Sequence, residues 1–141
     1  IFIKNFFFFF LLFNRIFFLF FFFNQTIHEV LTAVKITLGA ERGSVFVYDH
    51  PSNELVSLAL VPELVDGKEI RVPSSKGIVG DVFTKGRALN ILNAYKDNRF
   101  YKNIDKQTGL VTRVVLAYPI ISKATGTCIG CIQLINKEKF G

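Results

Sequence analysis

The sequence divides near residue 24 into two segments of unlike composition. Residues 1–23 contain 13 of the 17 phenylalanines, and this block raises the mean hydropathy of the whole chain. Residues 24–141 have the mixed composition of a globular domain, with 15 Lys and Arg against 11 Asp and Glu. A segment of that length has room for one hydrophobic core. We therefore predict a Phe-rich segment, residues 1–23, followed by one domain, residues 24–141.

Two interpretations of the Phe-rich segment stay open. Its apolar runs, 6–13 and 16–23, are interrupted only by Asn14 and Arg15, so it is nearly long enough to span a bilayer as a hydrophobic anchor. A central Arg costs about 2.5–3.5 kcal/mol there, which this many Phe and Leu residues can offset. Alternatively, the segment is a translated intron, because it uses only amino acids that AT-rich codons encode. A translated intron would pack poorly on the domain, whether helical or unstructured.

Charge and cysteine content limit the classes of function and the cellular compartment that we expect. The net charge of residues 24–141 is only +4 and is spread along the sequence, which does not indicate a nucleic-acid-binding surface. The chain has two cysteines and no recognisable cleavable signal, so we expect a cytoplasmic protein. It has no Met, so we expect the sequence to be a fragment or an incomplete gene translation. Cys128 and Cys131 are three apart in a strand pattern. A regular strand would point them to opposite faces, so we interpret them as packing residues.

Apolar periodicity predicts an α+β fold. Ile27, Val30, Leu31, Val34 and Leu38 form the apolar stripe of a helix that Gly39 ends. A second helix is predicted near 74–86, and an ordered loop with a short helix over 93–109. The period-two pattern predicts strands at 43–49, 54–61, 68–72, 87–91, 112–120 and 126–137. Strands and helices do not alternate regularly, which predicts a central antiparallel sheet of about six strands.

Two segments have the features of a ligand site. In SSKGIVG, residues 74–80, a helix start offers backbone N–H groups to an anion, although a tight turn and close helix packing explain its glycines equally. In the second segment, Asp105, Thr108 and Thr112 are spaced by three and four residues. On a short helix the first two would share a face and close over a small polar ligand, although helix and turn capping is the alternative. We recognise no catalytic residue and no metal site.

The order and spacing of four motifs resemble a family. GAERGSVFVYD, EIRVPSSKGIVGDVFTKGRALNILNAYKDNRFYKNIDKQTG, TRVVLAYPI and IGCIQLINK together are similar to a GAF domain, in particular the GAF domains of 3′,5′-cyclic-nucleotide phosphodiesterases and some adenylyl cyclases. The resemblance covers residues 26–140. It implies helices on both faces of the sheet and a buried pocket for cyclic GMP or cyclic AMP. It also implies a regulatory module in a homodimeric protein, attached to a phosphodiesterase domain.

The resemblance also assigns roles to individual positions. It places Ser44 at the purine, the backbone of Ile78 and Val79 at the cyclic phosphate, Asp105, Thr108 and Thr112 in a lid around the phosphate and ribose, and Gln133 on the pocket wall.

The sequence departs from the family pattern in two places. Leu60 and Val61 stand where cyclic-GMP-binding relatives carry an aromatic residue and Asp, so a carboxylate for the guanine edge is missing. Cyclic GMP, cyclic AMP and no nucleotide therefore remain open, and a GAF-like dimerisation module without nucleotide is the alternative function. The closing helix of the family is also missing after residue 140.

Overall fold

A computed structural model describes residues 2–62 and 69–137, with side chains from residue 12 onward except that of Gln107. The elements are α1 (Phe2–Thr37), β1 (Arg42–Asp49), β2 (Glu54–Val61), β3 (Arg71–Pro73), α2 (Gly77–Lys85), β4 (Leu89–Ile91), a 3₁₀ helix (Ala94–Lys96), α3 (Asn103–Thr108), β5 (Val115–Ile121) and β6 (Cys128–Ile135). The predicted strand at 68–72 falls partly outside the described residues.

The six strands form one sheet in the order β3-β2-β1-β6-β5-β4. Every neighbouring pair is antiparallel, which confirms the predicted α+β fold. The two central strands, β1 and β6, come from opposite ends of the domain sequence. Their pairing brings Ser44 beside Gln133, so residues 89 positions apart become neighbours on one face.

Helices cover both faces of the sheet, as predicted. On one face, α2 and the loop after β4 pack over a core that includes Phe46, Leu55, Val82, Val115 and Cys131. On the other face, Leu31 of α1 packs against Val45, Ala59 and Val61. Burying one Leu side chain such as Leu31, which is 2% exposed, contributes about 1.5–3 kcal/mol. Alternating residues of β1 and β2 thus serve two different cores.

Helix α1 is continuous through the composition boundary near residue 24. The Thr26 hydroxyl donates to the Phe22 carbonyl one turn earlier, within the same helix. The helix ends where predicted, with Gly39 at a φ of 60°. Side chains 12–23 are exposed. Residues Leu12–Thr37 are long and apolar enough to cross a membrane by length and composition alone.

The predicted placement of the two cysteines on opposite faces is wrong. Ile120 pairs with Gly130 and Ile121 pairs with Cys128, so Ile129 is an extra residue that forms a β-bulge. Ile121 lies near Gly86 at the end of α2, and its partner Cys128 therefore faces the same side as Cys131. Both thiols are free. The bulge cannot be recognised from the alternation of residue types, because Ile129 continues the apolar pattern.

Strand β5 begins three residues later than predicted. Thr112 bonds to the side chain of Asp105, and the backbone N–H groups of Arg113 and Val114 donate to the side chain of Asn136. These partners replace the ladder bonds that a longer strand would have made. Within the described residues, which end at Lys137, no helix follows β6.

Candidate functional site

Helix α2 begins directly over the sheet face that carries Phe46. Gly77 has a φ of 74°, which a residue with a side chain rarely adopts. A Cβ atom at Gly80 would lie 2.8 Å from the Ser74 carbonyl oxygen, so both glycines are explained by a tight turn and a close approach. The first turn leaves the N–H groups of Gly77, Ile78 and Val79 without an intrahelical acceptor. Those groups and the helix dipole provide a partial positive charge at this end of α2.

The loop from 93 to 112, here called the lid loop, is closed by a buried carboxylate. Asp105 of α3 is 7% exposed. Its Oδ1 accepts the Thr112 hydroxyl hydrogen bond at 2.6 Å, and its Oδ2 accepts the Thr112 N–H at 2.8 Å. The Tyr95 hydroxyl also donates to Oδ2 at 2.9 Å, and this bond, aided by burial, raises the pKa of Tyr95. Asp105 therefore joins the start, middle and end of the lid loop.

Asn136 holds the end of the lid loop against the sheet. Its Oδ1 accepts hydrogen bonds from the N–H groups of Arg113 at 2.7 Å and Val114 at 3.3 Å. Its Nδ2 donates to Glu41 Oε2 at 2.7 Å and to the Val111 carbonyl at 3.0 Å. Asn136 is 6% exposed and has a φ of 54°, a conformation that Asn tolerates better than most residues. One side chain thus satisfies four polar groups around Thr112.

A charged cluster holds the other end of the lid loop on α2. The Arg99 guanidinium contacts Asp97 Oδ2 at 2.7 Å and Asp81 Oδ2 at 3.0 Å, and Lys85 contacts the other Asp81 oxygen at 2.6 Å. Arg99 lowers the pKa of Asp97 to about 2. Lys85, with Arg99 second, lowers the pKa of Asp81. Because Asp81 lies on α2 and Asp97 on the loop, Arg99 bridges the two elements.

A row of three side chains crosses the central strands beneath the lid loop. Ser44 pairs with Leu60 on one side and with Gln133 on the other, and paired residues share a face. Leu60 packs against the core beneath α2. Val61, one residue later, packs on the α1 face and is 7% exposed. The two departures from the family pattern therefore lie on opposite faces of the sheet.

Two adjoining cavities lie between the sheet, α2 and the lid loop. The helix-side cavity is lined by Gly77, Ile78, Val79, Phe100 and Tyr101, together with residues shared by both cavities. The strand-end cavity is lined by Arg42, Ser44, Leu60, Pro62 and Thr108 among others. The shared lining residues are Phe46, Ile104, Asp105, Thr112, Gln133 and Ile135.

Both cavities are small in this structure. Each has a volume of about 40 Å³, whereas small-molecule pockets commonly hold roughly 300–1,000 Å³. The bonds from Asp105 to Thr112 close the space between the lid loop and the sheet. A ligand larger than a few water molecules therefore requires the lid loop to move.

The chemistry of the lining favours binding over catalysis. It combines apolar walls with amide donors from α2, the hydroxyl groups of Ser44 and Thr108, and the amide of Gln133. Among residues 2–62 and 69–137, no cluster of three His, Cys, Asp or Glu side chains is placed to hold a metal ion. The Cys131 thiol is buried in the core, which raises its pKa to about 12 and makes it a poor nucleophile at neutral pH.

Eight of the nine positions singled out from the sequence line these cavities. Ile78 and Val79 line the helix-side cavity, and Ser44, Leu60 and Thr108 line the strand-end cavity. Asp105, Thr112 and Gln133 line both, whereas Val61 lies in the α1-side core. That these residues contact a ligand stays a prediction.

Four residues that organise the site were not singled out from the sequence. Tyr95 and Arg99 stabilise the lid loop, Asn136 fixes its end, and Arg42 lines the strand-end cavity. The aromatic residues interspersed in the polar segment 93–109 were the available signal for Tyr95. The left-handed conformation of Asn136 has no signature in a single sequence.

The family model described as GAF domain matches residues 23–141. The chain belongs to the GAF domain family. Its relatives include the dual 3′,5′-cyclic-AMP and -GMP phosphodiesterase 11A of Takifugu rubripes, which is 37% identical over an alignment of 124 positions that covers 81% of this chain and 14% of that protein. The corresponding phosphodiesterase 11 of Drosophila melanogaster is 35% identical over 78% of this chain and 8% of its own length. The chain thus spans a small part of these relatives.

Solved structures support the same fold. The GAF domain of a phosphoenolpyruvate-protein phosphotransferase from Coxiella burnetii has a TM-score of 0.71 at 22% identity, covering 82% of this chain and 67% of that one. The A. aeolicus nlh2 GAF domain in an inactive state has a TM-score of 0.68 at 23% identity, covering 83% of this chain and 70% of that one. At these identities the likeness establishes the GAF fold alone.

Proposed function

We propose that this GAF domain is a regulatory module that binds cyclic GMP or cyclic AMP in the joined helix-side and strand-end cavities. The observation that carries the proposal is the convergence of the first residues of α2, the lid-loop residues Asp105 and Thr112, and the strand residues Ser44 and Gln133 on one buried space. The similarity to two cyclic-nucleotide phosphodiesterases supports this ligand class.

The two cavities suit the two ends of a cyclic nucleotide. The phosphate carries one negative charge, and the amide groups at the start of α2 complement it in the helix-side cavity. The purine is flat and apolar with polar edges, and the strand-end cavity offers Leu60 and Phe46 as walls with Ser44 and Gln133 as polar partners. The ribose then lies beneath Asp105 and Thr112, at the junction of the cavities.

Ligand binding is coupled to the lid loop in this proposal. In the closed state the Asp105 carboxylate accepts hydrogen bonds from Thr112 and Tyr95. Entry of a nucleotide breaks or rearranges those bonds. The ligand therefore favours a second arrangement of the lid loop, and the difference in its affinity for the two arrangements sets the size of any signal. An attached phosphodiesterase domain, in a homodimeric cytoplasmic protein, is the effector we propose to receive it.

Calorimetric titration of the full chain, kept soluble in mild detergent, with each nucleotide tests the proposal. We expect saturable binding of at least one of them. Thr108→Ala should weaken it by removing a hydroxyl group from the strand-end cavity, and Lys123→Ala, in the exposed β5–β6 turn, should leave it unchanged. If neither nucleotide at millimolar concentration gives a binding heat, the proposal is ruled out.

A second candidate is a GAF-like dimerisation module without nucleotide. It is favoured by the closed cavities of about 40 Å³ and by the use of Val61 in the α1-side core. Light scattering in the presence and absence of nucleotide separates the candidates, because this one predicts dimers whose dissociation constant does not depend on nucleotide. If α1 crosses a membrane, either module would be tethered to it.

A further inference from the structure

One residue that lines the strand-end cavity, Arg42, has a cationic side chain and has no role in the proposed function. Arg42 begins β1 and pairs with Ile135, which also lines the cavity. Two residues further along the strand, Ser44 faces the same side. Arg42 is half-buried, and among the described residues it is the single Lys or Arg in the cavity lining. Arg42 therefore borders the space assigned to the purine.

The guanidinium of Arg42 is available to a ligand. Within the described residues it makes no hydrogen bond and no ion pair, unlike Arg71, Arg99 and Arg113. In the part of the lining that the structure describes, Asp105 is the single carboxylate, and its oxygens accept hydrogen bonds from Thr112 and Tyr95. A ligand atom with a lone pair would give this guanidinium an acceptor.

Purine chemistry decides which ligand atoms fit. Guanine presents two adjacent acceptors, O6 and N7, which match the two parallel N–H donors of an Arg side chain. Adenine presents N7 beside the N6 amino group, a donor that opposes the guanidinium. Gln133 has both a donor and an acceptor and can turn to suit either base. Arg42 is therefore the lining residue whose chemistry distinguishes the two purines.

Among residues 2–62 and 69–137, the opposite purine edge has no comparable partner. Guanine carries N1–H and a 2-amino group there, which call for an acceptor such as a carboxylate. Leu60 is apolar and faces the cavity, while Val61 lies on the other face of the sheet. The 2-amino group of guanine thus gains little from this site.

We propose that Arg42 binds O6 and N7 of the base, so that the domain selects 6-oxopurine cyclic nucleotides and does not distinguish cyclic GMP from cyclic IMP. This inference rests on the proposed function. Arg42 would supply base selectivity from β1, in place of a carboxylate at the end of β2. The preference for cyclic GMP over cyclic AMP should be about tenfold, the size expected of one bidentate contact.

The test is calorimetric titration of the full chain in mild detergent with cyclic GMP, cyclic IMP, cyclic AMP and 7-deaza-cyclic GMP, which lacks the N7 acceptor. We expect cyclic GMP and cyclic IMP to bind with dissociation constants within about threefold of each other. Cyclic AMP and the 7-deaza compound should each bind about tenfold more weakly.

Two substitutions separate the guanidinium fork from the charge. Arg42→Gln should abolish or reverse the preference, because it weakens cyclic GMP and because Gln can pair with N6 and N7 of adenine. Arg42→Lys keeps the charge but loses the paired donors, so most of the preference should also disappear. Arg87→Gln is the matched control, because Arg87 is exposed in the turn after α2 and lines neither cavity. Circular dichroism melting of each variant confirms that it is folded.

The outcomes distinguish the two levels of the proposal. If the wild-type chain binds none of the four nucleotides, the proposed function fails and the role of Arg42 fails with it. If nucleotides bind but Arg42→Gln leaves the ratio of the cyclic GMP and cyclic AMP affinities unchanged, only the role of Arg42 fails. Cyclic IMP binding more than tenfold weaker than cyclic GMP would show that the base is selected at its 2-amino group instead.

Discussion

The hydroxyl of Thr112 donates a 2.6 Å hydrogen bond to Oδ1 of Asp105, and the backbone N–H of Thr112 donates to Oδ2 of the same carboxylate. Thr112 is 1% exposed and Asp105 is 7% exposed. Water is therefore excluded from a charged acceptor, which depends on these two donors and on Tyr95. The closed state of the lid loop rests on this pair.

Thr112→Val should reduce the free energy of unfolding by about 1.5–3 kcal/mol, because a buried carboxylate loses a hydrogen bond while the shape of the side chain is kept. Urea denaturation followed by circular dichroism measures the change. Thr108→Val is the control, since its hydroxyl donates to the Ile104 carbonyl within α3 and is only half-buried. Equal losses in the two variants would contradict a special role for the Asp105 contact.

Asn136→Ala should cost about 2–4 kcal/mol of stability, because four polar groups lose their partner and Ala must adopt a φ of 54°. Asn136→Gly relieves the backbone strain and isolates the side-chain part of the loss. Amide hydrogen exchange should speed up at Arg113 and Val114 in both variants. Unchanged exchange at those two amides would show that Asn136 does not hold the lid loop.

The Asp97–Arg99 pair should make stability depend on pH in the acid range. The pKa of Asp97 is lowered to about 2 in the folded chain, so its contribution is complete above its ordinary value near 3.8 and is lost as the pH falls towards 2. We expect Asp97→Asn to cost about 1–2 kcal/mol at pH 6, reduced by partial solvent exposure, and progressively less between pH 4 and 2.

Urea titrations of wild type and Asp97→Asn at pH 6, 4 and 2.5 measure that dependence. Asp49→Asn is the control, because Asp49 contacts Arg71 at 3.5 Å with both side chains well exposed, and exposed pairs contribute little. A stability difference between wild type and Asp97→Asn that stays constant over this range would contradict the linkage.

The two cysteines should differ sharply towards alkylating reagents. Burial raises the pKa of Cys131 to about 12, so at pH 8 only about one part in ten thousand is thiolate. Cys128 is half-buried and should react first with iodoacetamide, as mass spectrometry of peptides will show. Cys131 should react only in denaturant, and Cys128→Ser should abolish the fast phase. Equal rates for both thiols in native buffer would show that the core around Cys131 opens readily.

The elements with regular periodicity were predictable from the sequence. Ile27 and Leu31 of the predicted stripe face the sheet, whereas Val30 of the same stripe is 58% exposed. The alternation in 43–49 and 54–61 located the first hairpin. Strand ends were less predictable. Thr112 and Arg113 have strand-like residue types, but their hydrogen bonds go to Asp105 and Asn136, which lie seven and 23 positions away.

The candidate site likewise combines features that were predictable from the sequence with features that depend on tertiary contacts. Ser44, Asp105, Thr112 and Gln133 line one space in the structure, and their grouping was predicted through resemblance to a family. The separation of Leu60 from Val61 follows from strand alternation, yet which face carries the cavity depends on where α1 and α2 pack. The bulge at Ile129 and the left-handed Asn136 depend on tertiary contacts and could not be predicted from local residue types.

The uninterrupted α1 has a consequence for how anything joined to its N-terminal half is oriented. A helix turns about 100° and rises about 1.5 Å per residue, and no break separates the segment before residue 24 from the part that packs on the sheet. Inserting one residue near position 24 would therefore leave Leu31 in place and rotate everything before it by about 100°. The angular phase of the N-terminal half is thus fixed by residue count rather than by contacts.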